Sequence, residues 1–91
     1  MRDFKTGMLA VSKAGHDKGR LYVVINADQE YVYLADGKNR SVCQPKKKKQ
    51  KHIQINYHIP MVLAKALETE QELKDEQIKK AIKDYKNQQE V

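Results

Sequence analysis

Seven residues, Ala14-Gly15-His16-Asp17-Lys18-Gly19-Arg20, put two glycines and two cations between two short apolar runs. Glycine accepts backbone conformations that side chains resist, so such a turn can bring amides and cations up to an anion. Arg20 offers a planar fork that engages a phosphate bidentately, whereas Lys18 acts as a point charge. The same residues also describe an ordinary solvated turn, and composition does not separate the two readings. A nucleotide-binding P-loop is excluded, because Gly15-x-x-x-Gly19-Arg20 lacks the spacing, the Lys-Ser/Thr pair and the following helix.

Two further stretches have the same character. Asp36-Gly37-Lys38-Asn39-Arg40 reads as a second cationic hairpin tip that can share a face with the first, a type I′ turn being favoured by Asp-Gly. Lys46-Lys47-Lys48-Lys49-Gln50-Lys51-His52 packs five cations into its first six residues, a self-repelling run that a polyanion would relieve. Lying between β signals, it is expected to be a structured contact and not a tail. Other chemistries find less support. His16, His52 and His58 have no Cys or carboxylate at ligand spacing, so neither a metal nor another cofactor is expected. His16 beside Asp17 resembles part of an acid-base pair, but no nucleophile or oxyanion hole accompanies it, and an enzyme is the least expected class. Tyr22, Tyr31 and Tyr33 would stack bases only if they faced outwards.

The charge is unevenly spread. Residues 1–61 hold 12 basic and 5 acidic side chains, and residues 62–91 hold 6 and 7, within an overall formal charge of +6. A polyanionic partner is therefore expected for the first two-thirds. The 91 residues bound the chain to one small core. Cys43 is alone, which precludes an intrachain disulfide, and MRDFKTG lacks the apolar centre of a signal peptide. No apolar run approaches the length of a membrane span, and a cytoplasmic location is expected.

The elements that would position these residues are short. Met8–Lys13, Leu21–Asn26 and Tyr31–Ala35 read as strands from their β-branched and aromatic content. Asp36-Gly37 would turn the third strand into a fourth, Arg40–Cys43, ended by Pro45, and His52–Ile55 would be a fifth. Five such strands imply a mainly β chain, a small barrel of SH3 or OB type over residues 1–58. Past Pro60 the period becomes helical: Leu63, Leu67, Ile78, Ala81, Ile82 and Tyr85 share one side of a wheel. Helices are expected near 60–67 and 75–88 within an amphipathic extension, residues 59–91, that packs back on the barrel or meets a partner. Asp75 would cap the second, with Thr69 and Glu72 as a rival capping box six residues earlier.

The run from Gly7 through Gly15-His16-Asp17-Lys18-Gly19-Arg20 to Ile25 resembles the KOW motif of ribosomal proteins and transcription elongation factors, a strand-loop-strand unit of an SH3-like barrel. The match continues through Asp36–Arg40 and Pro45–Ile53. Together the three blocks are similar to the archaeal and eukaryotic large-subunit ribosomal protein family numbered fourteen, and closer to its small bacterial KOW-domain relatives. The resemblance covers residues 6–55. It implies a KOW-type SH3-like five-stranded barrel and RNA binding, rRNA being the expected target, in a ribosomal or ribosome-associated protein. The contacts it implies are Lys18, Arg20, Lys38, Arg40 and the lysine run Lys46, Lys47, Lys48, Lys49 and Lys51, with Gly15 as the motif glycine; Lys13, His16, Gly19 and His52 are expected beside them from the tip and the run themselves, His16 as a donor to phosphate. His16 departs from the pattern, where arginine is common, and the helical tail lies outside it. The rival reading is a protein-interaction module of the translation or transcription machinery; a duplex-DNA binder stands further back. Neither a membrane nor a small-molecule substrate is expected.

Overall fold

The computed structural model describes residues 4–69 and 72–89. The order is β1 (Leu9–Ser12), β2 (Leu21–Ala27), β3 (Tyr31–Ala35), β4 (Lys46–Lys49), a 3-10 turn (Gln50–His52), β5 (Ile53–Asn56), α1 (Met61–Glu68) and α2 (Asp75–Gln89). The strands make one antiparallel sheet in the order β4-β3-β2-β1-β5.

The two edge strands, β4 and β5, are consecutive in the chain and joined only by the three-residue turn. Four strand spacings in a flat sheet measure about 19 Å. The four Cα steps from Lys49 to Ile53 reach at most about 15 Å. The sheet must therefore curl. β4 and β5 do not pair with each other, so the hydrogen-bonded ladder is not closed.

The three central strands, β1, β2 and β3, bury side chains on both faces. Ala10, Tyr22, Val24, Val32 and Leu34 point into the concave side, with Ile53 and Ile55. Leu9, Val23 and Ala35 point to the convex side, where α1 and α2 cover them with Leu63, Ala66, Ile78, Ala81 and Ile82. Burial on both faces explains why Leu21–Ile25 is apolar throughout instead of alternating. The helices thus share a core with the sheet, and of the expected helical stripe Leu67 and Tyr85 are the half-buried flanks.

Three of the expected strands and both helices lie where their periodicity puts them; the others differ. Residues 40–43 are not a strand, and the fourth strand is the lysine run itself. Pro45 stands directly before β4 and opens it, a position at which no ladder donor is missed. The fifth strand starts at Ile53, because His52 belongs to the 3-10 turn. Thr69 ends α1, its hydroxyl donating to the Ala66 carbonyl at 3.0 Å, so it opens no capping box. Residues 70 and 71, inside the expected break, lie outside the described residues. Among the described residues no helix is long and apolar enough to cross a membrane.

Candidate functional site

The tip that joins β1 to β2 is built around Asp17. Its side chain turns inward to the mouth of the concave face and is only 6% exposed. Oδ1 accepts from Ser12 Oγ at 2.8 Å and Lys48 Nζ at 2.7 Å; Oδ2 accepts from Tyr22 at 2.8 Å and lies 2.9 Å from Lys46 Nζ. Lys48 Nζ also donates to the Ala14 carbonyl at 2.7 Å. Burial disfavours the Asp17 charge, but the bonds from Lys48, Lys46, Ser12 and Tyr22 outweigh it and hold the carboxyl well below the usual carboxylate range. Burial and the bond to Asp17 push the Tyr22 hydroxyl up to about 12.

This arrangement changes what the tip offers. The amides of Lys18, Gly19 and Arg20 donate to Gly15, Ser12 and Asp17 carbonyls, so they are committed within the loop and not presented to a phosphate. What the tip does present is side chains: His16, Lys18 and Arg20 are exposed.

The lysine run divides by strand alternation. Lys46 and Lys48 face inward beside Leu34 and Val32 and neutralise Asp17. Lys48 is therefore a structural cation, 11% exposed, while Lys46 is part exposed at 29%. Lys47 and Lys49 share the convex face with Tyr33 and Tyr31, Lys47 Nζ standing 4.2 Å from the centre of the Tyr31 ring. Four consecutive lysines form an edge strand because their charges are dealt to opposite faces with partners on each, and lysine also protects an edge from further pairing.

The second tip is not a type I′ hairpin. Asp36 Oδ1 accepts from the amides of Lys38, Asn39 and Arg40 at 2.8–2.9 Å, and the Arg40 carbonyl closes the loop on the amides of Asp36 and Gly37. Burial disfavours the Asp36 charge, but these three amides and nearby Arg20 outweigh it and lower the carboxyl from its ordinary value. The loop then docks on α2. Asp75, expected to cap its own helix, instead accepts from Ser41 Oγ at 2.8 Å and the Val42 amide at 2.9 Å. Gln77 serves the helix start, its Oε1 accepting from the Lys74 amide at 2.9 Å.

Gly37 sits at this junction with φ +78°, and a Cβ there would run into the Asp75 carbonyl and Lys79. Gly19 has a similar φ, +89°, with open space around it. Gly37→Ala is therefore expected to cost about 1–3 kcal/mol more than Gly19→Ala, which bears only the backbone term of about 1 kcal/mol. Paired thermal or urea unfolding of the two variants measures the difference; equal losses would show that the loop does not bear on α2.

Docking of the loop brings three elements around one open cleft of about 740 Å³. Arg20 comes from the first tip, Lys38 from the second, and Lys79, Lys83 and Lys86 from α2. The two tips converge because the start of β2 and the end of β3 are antiparallel neighbours, Val23 opposite Ala35. The floor is Leu21 and Ile82, and the one acidic side chain in the lining among the described residues, Asp36, is directed at its own loop amides. None of the five cations is in an ion pair among the described residues. Five cations from three elements, unpaired among the described residues, form a surface for an extended anion.

Of the expected contacts, the cleft gathers Gly19, Arg20 and Lys38. Lys13, Gly15, His16, Lys18, Arg40, Lys51 and His52 lie outside its lining, as does the lysine run. The lysines of α2 were not anticipated, since the helical third is nearly neutral. Their spacing, i, i+4 and i+7, was the available signal, because it places all three on one helix face. Among the described residues no group of three or more His, Cys, Asp or Glu is gathered as for a metal ion. No protein-family model matches the chain, and no match was found among curated proteins.

Proposed function

We propose that this chain is an RNA-binding protein that holds the sugar-phosphate backbone of a structured RNA in the cleft between its two loops and α2. The observation that carries this reading is the convergence of Arg20, Lys38, Lys79, Lys83 and Lys86 around one cavity. Among the described residues nothing aromatic lines it, which favours recognition of phosphate, 2′-OH and shape over stacked bases. The KOW resemblance makes rRNA the expected target and the cytoplasm the expected place, in a ribosomal or ribosome-associated role without catalysis. The curled sheet is, on this reading, an SH3-like barrel of KOW type, which the short turn between its edge strands supports.

Affinity for a structured RNA should fall steeply with salt, since each neutralised phosphate contributes a slope of about 0.7–0.9. Arg20→Gln with Lys38→Gln is expected to reduce that slope by about 1.4–1.8, whereas Lys18→Gln, outside the cleft, should leave it nearly unchanged. Filter binding or fluorescence anisotropy over a salt series makes the comparison, and an unaltered slope in the Arg20/Lys38 variant would sink the cleft assignment. A protein-interaction module is the second reading. It is favoured by Tyr57 and Met61, 61% and 70% exposed at the approach to α1. Capture of one protein partner after nuclease treatment, with no RNA crosslinked in cells, would select it.

A further inference from the structure

β3 carries a second surface that the cleft does not use. Tyr31 and Tyr33 stand two residues apart on the convex face of the sheet, in line with Ala35. Ala35 is covered by the helices, but neither tyrosine belongs to that core or to the concave one. Both are half-buried, so each remains partly open to solvent. The facing residues of the edge strand are Lys49, opposite Tyr31, and Lys47, opposite Tyr33. Tyr33 is fixed in place by the bond its hydroxyl donates to Asp28 Oδ2 at 3.0 Å.

The chemistry of this patch differs from that of the cleft. The cleft has cations and no aromatic ring; the β3–β4 face has two rings at the spacing of neighbouring side chains on a strand, with cations beside them. A planar group with a negative charge attached fits it, and an unpaired nucleotide is such a group. Lys47 Nζ lies 4.2 Å from the Tyr31 ring centre and makes no ion pair among the described residues. A cation over an exposed ring gains less than a base stacked on that ring does. The base therefore displaces the ammonium, which is then free to meet the nucleotide's own phosphate. Among the described residues Lys49 is held only by an exposed pair with Glu30 at 3.9 Å, a contact weak enough to be exchanged for phosphate.

We propose that Tyr31 and Tyr33, with Lys47 and Lys49, bind an unpaired segment of the same RNA whose structured part lies in the cleft. This rests on the RNA-binding reading and adds a single-stranded site to it.

The test compares a blunt RNA hairpin with the same hairpin bearing a four-uridine 3′ extension. The wild-type protein is expected to bind the extended RNA about tenfold more tightly. Tyr31→Leu/Tyr33→Leu should lose that gain while binding the blunt hairpin as the wild type does, and Tyr31→Phe/Tyr33→Phe, which keeps both rings, should retain it. In the wild-type protein, 4-thiouridine placed in the extension should crosslink at positions 31–33 or 47–49, a readout independent of whether the leucine variant folds. If the blunt hairpin binds but the extension adds nothing, or crosslinks map elsewhere, the stacking site is overturned and the cleft stands. If neither RNA binds, the RNA reading fails and takes this site with it. A protein crosslinking to this face in place of RNA also overturns the proposal.

Discussion

Asp17→Ala is expected to destabilise the protein by about 3–5 kcal/mol, the cost of removing one partner from a buried ionic cluster. A domain of this size has roughly 5–15 kcal/mol in all, so the variant should melt at least about 12 °C lower. The size of the effect follows from what is left behind. Lys48, 11% exposed, would keep only the Ala14 carbonyl, which Ser12 Oγ would have to share, and the buried Tyr22 hydroxyl would lose its Asp17 acceptor. The pH dependence has a definite sign. Because the folded Asp17 carboxyl is held below its ordinary value, its contribution is complete above about pH 4 and is lost as pH falls through the lower folded value. Asp36 acts in the same direction. Tyr22 acts at the other end: its raised value means that its contribution is complete below about pH 10 and is lost as pH rises through about 12. Urea unfolding from pH 2 to 12 should therefore show both limbs in the wild type. The acid limb should be shallower in Asp17→Ala, and the alkaline limb should be reduced in Tyr22→Phe. A loss below about 1 kcal/mol in Asp17→Ala, with the acid limb unchanged, would show that the cluster is not what holds the tip.

Replacing Lys79, Lys83 and Lys86 together with glutamine is expected to leave folding within about 0.5 kcal/mol of wild type, since all three are exposed and glutamine is a comparable helix former. RNA affinity near 0.1 M salt should nevertheless fall by about 10²–10³-fold. Three lost phosphate contacts at 0.7–0.9 each lower the salt slope by about two to three, and the affinity follows from that slope. Lys80→Gln is the internal control. It removes the same charge from the same helix, but Lys80 lies outside the cleft and pairs with Asp84 at 3.7 Å. If the Lys80 variant weakens binding as much as one of the three, net charge and not the cleft is responsible. If the triple variant binds like wild type, α2 has no part in the interface.

These two experiments concern residues that sequence patterns treated differently from the structure. Lysines 46–49 were legible as a charge run but not as a strand, because their intrinsic preference disfavours one. Their conformation comes from pairing with β3 and from a carboxylate 31 residues before Lys48. Asp17 itself looked like one polar residue among several in a solvated turn. Nothing local distinguishes an aspartate that points outward from one turned under the loop. The stripe on α2 was written at helical spacing yet hidden in the charge count by the seven acids of residues 62–91, which bring the helical third to near neutrality.

Short-range physics decided the rest within the chain. β1, β2 and β3 follow from β-branched and aromatic runs closed by Gly and Asp turns, and α1 and α2 from apolar residues recurring at the helical period, because both signals act between residues a few positions apart. Gly19 with its positive φ and the carboxylate-closed loop at Asp36 are local for the same reason. Tertiary structure alone decided which cations are structural and which are presented. The charge of Lys48 is compensated by Asp17, whereas that of Lys83 faces an open cleft, and the difference is one of burial and partner, set by distant segments. The cleft has no sequence signature of its own, since it exists only where Asp75 and Gly37 hold the second loop against α2 and bring Lys38 and Arg20 to the lysines of that helix.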